Sequence, residues 1–336
     1  ALGLRFHLGV DGVSLPLVLL TALLSFLGLL YTMHHLPSPG RVRAFVALQL
    51  LLEAGVLGTF LALDLLLFFV AFEVVLVPMY VLVAVWGGAG RAAAARKFIL
   101  YTLLGSVVML VGFLLLYSQA GTTDMTVLAA RAGAGTSAAA QLAVFVLVGV
   151  GLAVKAPMWP LHTWLPDAHT EAPTVGSVLL AGVLLKMGTY GFVRIAVPAV
   201  PEGARLAAPY LAALAVVGIL YGGLACLAQR DLKRLVAYSS VGHMGFVLLG
   251  VASLSPAGLN GALFANVAHG LVTGLLFFLA GAVQDRHGSG DLAALGGGLY
   301  ARAPVLGGLL AFGAVASLGL PGLAGFWGEM LALLGA

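Results

Sequence analysis

Apolar residues in this chain come in long unbroken runs, not in the alternation of a strand or the one-sided stripe of a surface helix. A membrane-crossing helix needs about 20 such residues. Ten runs qualify: roughly 12–34, 42–62, 65–86, 97–118, 141–159, 173–197, 208–228, 231–253, 259–284 and 304–330. Continuous runs argue against a barrel, whose strands alternate, and a helix keeps its backbone hydrogen bonds internal in lipid. The pattern predicts an all-α, polytopic transmembrane helix bundle of about ten helices with short connections. Residues 119–140, rich in Gly, Ala and Thr, are expected to form an external loop with a short surface helix.

Two runs are interrupted. The fifth carries Lys155 beside Pro157 and Pro160, and the tenth carries Pro321, several glycines and Glu329. Each is expected to be a broken helix with one charge at the break. Being five helices apart, the two breaks point in opposite directions across the membrane, as in inverted repeats with an ion path at their interface. The predicted organisation is a single transmembrane domain over residues 1–336, with a leading helix at 12–41, a first inverted five-helix repeat at 42–197 and a second, incomplete one at 208–336.

Composition sharpens this picture. The chain is 62% hydrophobic and only 8% charged, where soluble domains carry about 25%. Charges within the runs therefore need a reason, since one at mid-depth costs about 2.5–3.5 kcal/mol on insertion scales. Lys155 and Lys186 lie in mid-helix, too deep to snorkel, and lysine, unlike arginine, can lose its proton when desolvated. Glu73 is the sole charge between Asp64 and Arg91; it reads as a titrating carboxylate paired with a lysine, or else as a protonated structural one. Glu53, about halfway along the second run, is either functional, as a mid-depth carboxyl is by default, or held neutral by a hydrogen bond to a neighbour. His243 and His269 sit at mid-depth on adjacent helices and suit a relay, because histidine titrates near neutral pH. Asn266, His269 and Thr273 form a polar stripe on one face of the ninth run. The link between the fifth and sixth runs adds His162, Asp167 and His169, expected to cap the sixth run and give polar access to the cytoplasm. Asp11 and Ser14 are expected to cap the first helix.

Other chemistries find little support. One cysteine, Cys226, excludes an internal disulfide and an iron–sulfur cluster built by this chain alone. His34 and His35, near Pro37, lack a third ligand, and no other set has metal spacing. No nucleophile cluster, catalytic redox centre or cofactor site is legible, and no nucleic-acid partner is expected. Lys and Arg set the topology: ten lie in loops after odd-numbered runs and four, Arg5, Arg131, Arg194 and Arg205, on the other side. The positive-inside rule then puts the N-terminus outside. The chain starts without Met and ends just after Glu329 in an apolar run, so material is expected to be missing at both ends.

With these residues assembled, the chain resembles the antiporter-like membrane subunits of complex I, the proton-pumping NADH:quinone oxidoreductase. The resemblance rests on Phe72–Tyr80, on the specific run Lys155–Pro173, on Leu184-Leu-Lys186, on Ser240–Phe246 and on Ala268-His-Gly270. The run Lys155–Pro173 is shared with multisubunit sodium/proton antiporters, the alternative reading. Gly328-Glu329 favours the subunit M branch, counterparts of mitochondrial chain 4. The resemblance implies a fourteen-helix fold of which this piece holds helices three to twelve. It also implies a proton path through Glu73, Lys155, Lys186, His243, His269 and Glu329, driven by quinone reduction elsewhere. FMN and iron–sulfur clusters would then belong to partner subunits. The implied partners are other membrane and peripheral subunits of complex I, especially neighbouring antiporter-like ones, and the lipid of an energy-coupling membrane, in bacteria the inner one. The mechanism this resemblance implies hands a proton along Lys186, His243, His269 and Glu329, with Glu73 near Lys155 keeping that lysine charged; the residues themselves leave open which carboxyl pairs with which lysine.

Overall fold

A computed structural model describes residues 6–36 and 38–336. Arg5 and Pro37, used above, lie outside these. The described residues are helical and contain no strand, only isolated bridges. Among the described residues nine helices are long and apolar enough to cross a membrane: α1 (Leu15–His34), α2 (Val42–Leu61), α3 (Leu65–Trp86), α4 (Arg91–Ala120), then, after the short surface helix α5 (Met125–Arg131), α6 (Ala138–Lys155). After the eight-residue α7 (Trp164–Glu171) come α8 (Thr174–Ala199), α9 (Pro201–Leu227), α10 (Leu232–Ala252) and α11 (Pro256–His287). The tenth apolar run is split, as its proline and glycines predict, into α12 (Pro304–Ser317) and α13 (Ala324–Gly335). The chain is a multi-pass integral membrane protein.

Local chemistry explains the two breaks. Pro157 has no N–H, so the Ala153 carbonyl loses its normal helical partner. Met158 N–H donates to Ala153 O instead, at 2.9 Å, which frees Val154 O. The Trp164 indole then donates to Val154 O at 3.0 Å. Lys155 is thus the last residue of α6, beside irregular backbone whose first residues, Ala156 and Pro157, are buried in protein. The second break runs through Gly319 and Gly322, both at positive φ (66° and 95°). There a Cβ on Gly319 would stand 2.7 Å from Glu329 Oε2.

The same corner recurs in both halves. Asp64 caps α3 and bridges Asp124, the cap of α5; Asp231 caps α10 and bridges Asp291, which caps the turn after α11. Each pair is 60 residues apart, and Gly121 and Gly288 close α4 and α11 in the left-handed conformation. α8 is the central helix: 89% of its apolar window is buried, against 22% for α9. It holds two π-helical stretches, Leu180–Leu184 and Phe192–Ala196, on either side of Lys186. Such wide turns release backbone groups and are frequent at functional sites.

Two expected caps take other forms. Ser14 makes no side-chain cap; Asp11 Oδ1 instead accepts from the N–H groups of Val13 and Ser14 just before α1. α8 has Pro173 at its N-cap and no side-chain cap, so His162, Asp167 and His169 do not cap it. The proline needs no partner for a missing N–H.

Candidate functional site: a buried line of ionisable side chains

Lys186 is wholly buried on α8. In the π stretch before it, Leu185 N–H bonds Leu180 O and Val183 O and no longer Ala181 O. The released Ala181 carbonyl accepts from Lys186 Nζ, at 2.5 Å. The second partner of Nζ is His269 Nδ1 on α11, at 2.6 Å. An ammonium has only donors, so with Lys186 charged, His269 Nδ1 accepts and its proton sits on Nε2. That Nε2 is buried without a protein partner.

The His269 ring meets the His243 ring edge to face at 5.6 Å. His243 Nδ1 lies 2.8 Å from Glu329 Oε1, and its Nε2 lies 2.9 Å from Ser317 Oγ. Toward an ionised Glu329, Nδ1 is the donor and Nε2 is free to accept from the Ser317 hydroxyl. A cavity of about 20 Å³ lies between His243, His269, Ser317 and Glu329, enough for one water. The order along the molecule is Lys186, His269, His243, Glu329. This corrects the expected order of the two histidines: Lys186 Nζ meets His269 on α11, and Glu329 on α13 meets His243 on α10. Thr189 joins from the other side, donating to Asn266 Oδ1 at 2.9 Å.

Lys155 and Glu73 are differently placed. Lys155 Nζ is buried with no hydrogen-bond partner and sits 4.6 Å from the centre of the Phe72 ring, an attraction worth about 2 kcal/mol or more when desolvated. Glu73 Oε1 is likewise buried and unpartnered. Among the described residues no Glu73–Lys155 ion pair within 4.0 Å occurs, so the expected pair is open in this structure. Lys155 and Lys186 share no hydrogen bond among the described residues either; α6 and α8 meet there through backbone, at Gly188 against Leu152 O and Ala156 N.

The accessory residues scatter. His162 is buried with both nitrogens unpartnered, its ring edge-on to Tyr221 at 5.0 Å. His169 is fully buried, also unpartnered, and stacks on Phe277 at 4.5 Å. Asp167 pairs with Lys97 Nζ at 2.7 Å and Arg234 at 3.5 Å. Glu53 is half-buried and, among the described residues, makes no side-chain hydrogen bond. A cavity of about 620 Å³ is lined by Trp86, Arg91, Glu171, Lys233 and Asp285. Lys233, nearly buried, donates to Ala172 O at 3.3 Å. Sequence reasoning missed Ser317; its only signal is its place as the last helical residue before the second break.

Residues 62–336 match the family described as NADH:quinone oxidoreductase/Mrp antiporter, TM. The chain belongs to this family. Among NADH:quinone oxidoreductase/Mrp antiporter proteins it is 44% identical over 344 residues to the NADH-quinone oxidoreductase subunit M of Rhodobacter capsulatus, covering 99% of this chain and 66% of that protein. It is 45% identical over 338 residues to a NAD(P)H-quinone oxidoreductase chain 4 of Synechococcus sp. (strain JA-3-3Ab), covering 99% and 62%. A chain of the structure of respiratory complex I from Thermus thermophilus with bound NADH superposes with a TM-score of 0.89 at 39% identity, over 98% of this chain and 68% of that one. A chain of the Mrp complex from Dietzia sp. DQ12-45-1b gives 0.88 at 28% identity, over 97% and 61%. The chain thus spans 66% and 62% of the length of the two sequence relatives.

Proposed function

We propose that this chain is a proton-translocating membrane subunit of complex I, the NADH:quinone oxidoreductase, and that its buried line carries the protons. The observation that carries this reading is the contact series Lys186–His269 and His243–Glu329 with the small cavity between. Lys186 passes a proton to His269 Nδ1 while the Nε2 proton leaves toward water in the cavity, and from there to His243 and Glu329. Lys155 and Glu73 act upstream. An ion pair at 4 Å is worth about 4 kcal/mol at an effective dielectric of 20. Moving a proton against 100 mV takes about 2.3 kcal/mol. Closing and opening one Glu73–Lys155 pair is therefore large enough to drive a proton along. The 620 Å³ cavity at Lys233 and Glu171 is the intake.

Redox chemistry belongs, on this reading, to partner subunits that hold FMN and iron–sulfur clusters. The chain contacts neighbouring antiporter-like subunits in an energy-coupling membrane, the inner membrane in bacteria, with its N-terminal side outward. The recurring Asp64–Asp124 and Asp231–Asp291 corners support inverted repeats at 42–197 and 208–336. A subunit of a multisubunit sodium/proton antiporter is the second reading, favoured by the likeness to the Mrp complex. Among the solved structures, the higher identity to the respiratory complex I chain, 39% against 28% for the Mrp complex, favours complex I.

The test is mutational. In the assembled complex, Glu73→Gln and Lys155→Ala should each abolish most pumping-linked quinone reductase activity. Normal activity in both ends the proposal. Tolerance of Lys155→Met would mark the charges as mere pins between helices.

A further inference from the structure

The face of α8 that carries Lys186 continues away from the proton line. Lys186, Tyr190 and Arg194 recur every fourth residue and share that face. Arg194 stands about 12 Å along the axis from Lys186, toward the end of the molecule that holds Asp11. Tyr190 is fully buried among aromatic rings: Phe60 edge-on at 5.2 Å and Phe68 stacked at 6.5 Å. Phe68 continues to Phe72, the ring under Lys155, at 5.5 Å. The Tyr190 hydroxyl donates to Phe60 O and accepts from Arg194 Nε, both at 3.0 Å. Arg194 Nη2 donates to the half-exposed Asp11. Beyond Arg194 lies a cavity of about 410 Å³ lined by Val13, Leu63, Met125 and Thr126. Water reaching the guanidinium from that cavity meets an aromatic layer behind it.

A guanidinium keeps its protons under all ordinary conditions and cannot relay one. Its fixed positive charge repels any proton that approaches, as arginines in selective pores do. We propose that Arg194, clamped by Asp11 and Tyr190, is a proton seal. It closes the Lys186 half of the line toward the Asp11 end, so that protons leave by Glu329. This rests on the proton line proposed above.

The experiment uses the complete complex carrying the full-length chain, reconstituted in liposomes with a trapped pH dye and no electron donor. An imposed pH gradient should collapse faster with Arg194→Gln, the passive proton conductance rising about tenfold, equal to about 1.36 kcal/mol of barrier. Asp11→Asn, at the surface, should give a smaller rise and carries the test where Arg194→Gln does not assemble. An assembled variant as tight as the unmodified complex overturns the seal. Adding Lys186→Met to Arg194→Gln should restore tightness. A leak that persists in the double variant overturns the proton line through Lys186 and, with it, the seal of that line; a tight Arg194→Gln complex overturns the seal alone.

Discussion

Lys186 and Lys155 are both buried lysines, yet they meet the cost of burial in different ways. Lys186 has a carbonyl and an imidazole within 2.6 Å; Lys155 has only the face of Phe72. A charge with one weak partner is the one most easily switched by a moving carboxylate. Phe72→Leu should therefore impair pumping-linked activity and leave the fold intact, checked by proton uptake alongside the yield of assembled complex. At the surface, the Arg194 guanidinium, by its hydrogen bond, holds the Asp11 carboxyl down at about 2 from an ordinary 3.8. A depressed carboxyl contributes its stability fully above its ordinary value, and loses it as the pH falls through the depressed one. The stability difference between the unmodified protein and Asp11→Asn should thus be constant from neutral pH to about 5, shrink below that, and vanish by about pH 1. Thermal unfolding across that range checks it; a difference that grows on acidification contradicts the pairing.

At the scale of elements, the fold follows from where helices cannot continue. Pro157 and Pro160, like Pro321 with its glycines, announced both breaks in the sequence, because a missing N–H or a positive φ is a property of the residue type. Ten apolar runs likewise became nine full spans and one split one, since length and hydropathy are local. What stayed hidden depends on tertiary contact. No local signal marks the π turn that frees Ala181 O, or Trp164 reaching back to Val154 O. The expected caps from Ser14 and Asp167 failed for the same reason: competing partners, Asp11's own loop and the cations Lys97 and Arg234, were invisible in one dimension. Gly188 shows the packing consequence. A Cβ there would lie 2.5 Å from Leu152 O and 2.7 Å from Ala156 N, immovable backbone beside Lys155. Gly188→Ala should destabilise the protein by about 1–3 kcal/mol, read as a lower melting temperature of the assembled complex. An unchanged melting temperature contradicts this close approach.

Across the whole molecule, the aspartate corner recurs at Asp64–Asp124 and Asp231–Asp291, and the buried contact series runs from Lys186 to Glu329 at the second break, while Lys155 at the first break makes no hydrogen bond to it. The titratable residues of that line were all legible as mid-depth charges, because burial of a charge is readable from its apolar flanks. Their order was not: which histidine meets Lys186 depends on α11 lying against the start of α8. The open Glu73–Lys155 pair also needed coordinates. The most direct measurement is the number of protons moved per NADH oxidised by the reconstituted complex, with and without Lys186→Met. The account predicts that whatever oxidation survives the substitution moves fewer protons per electron pair. An unchanged ratio at unchanged rate would contradict it.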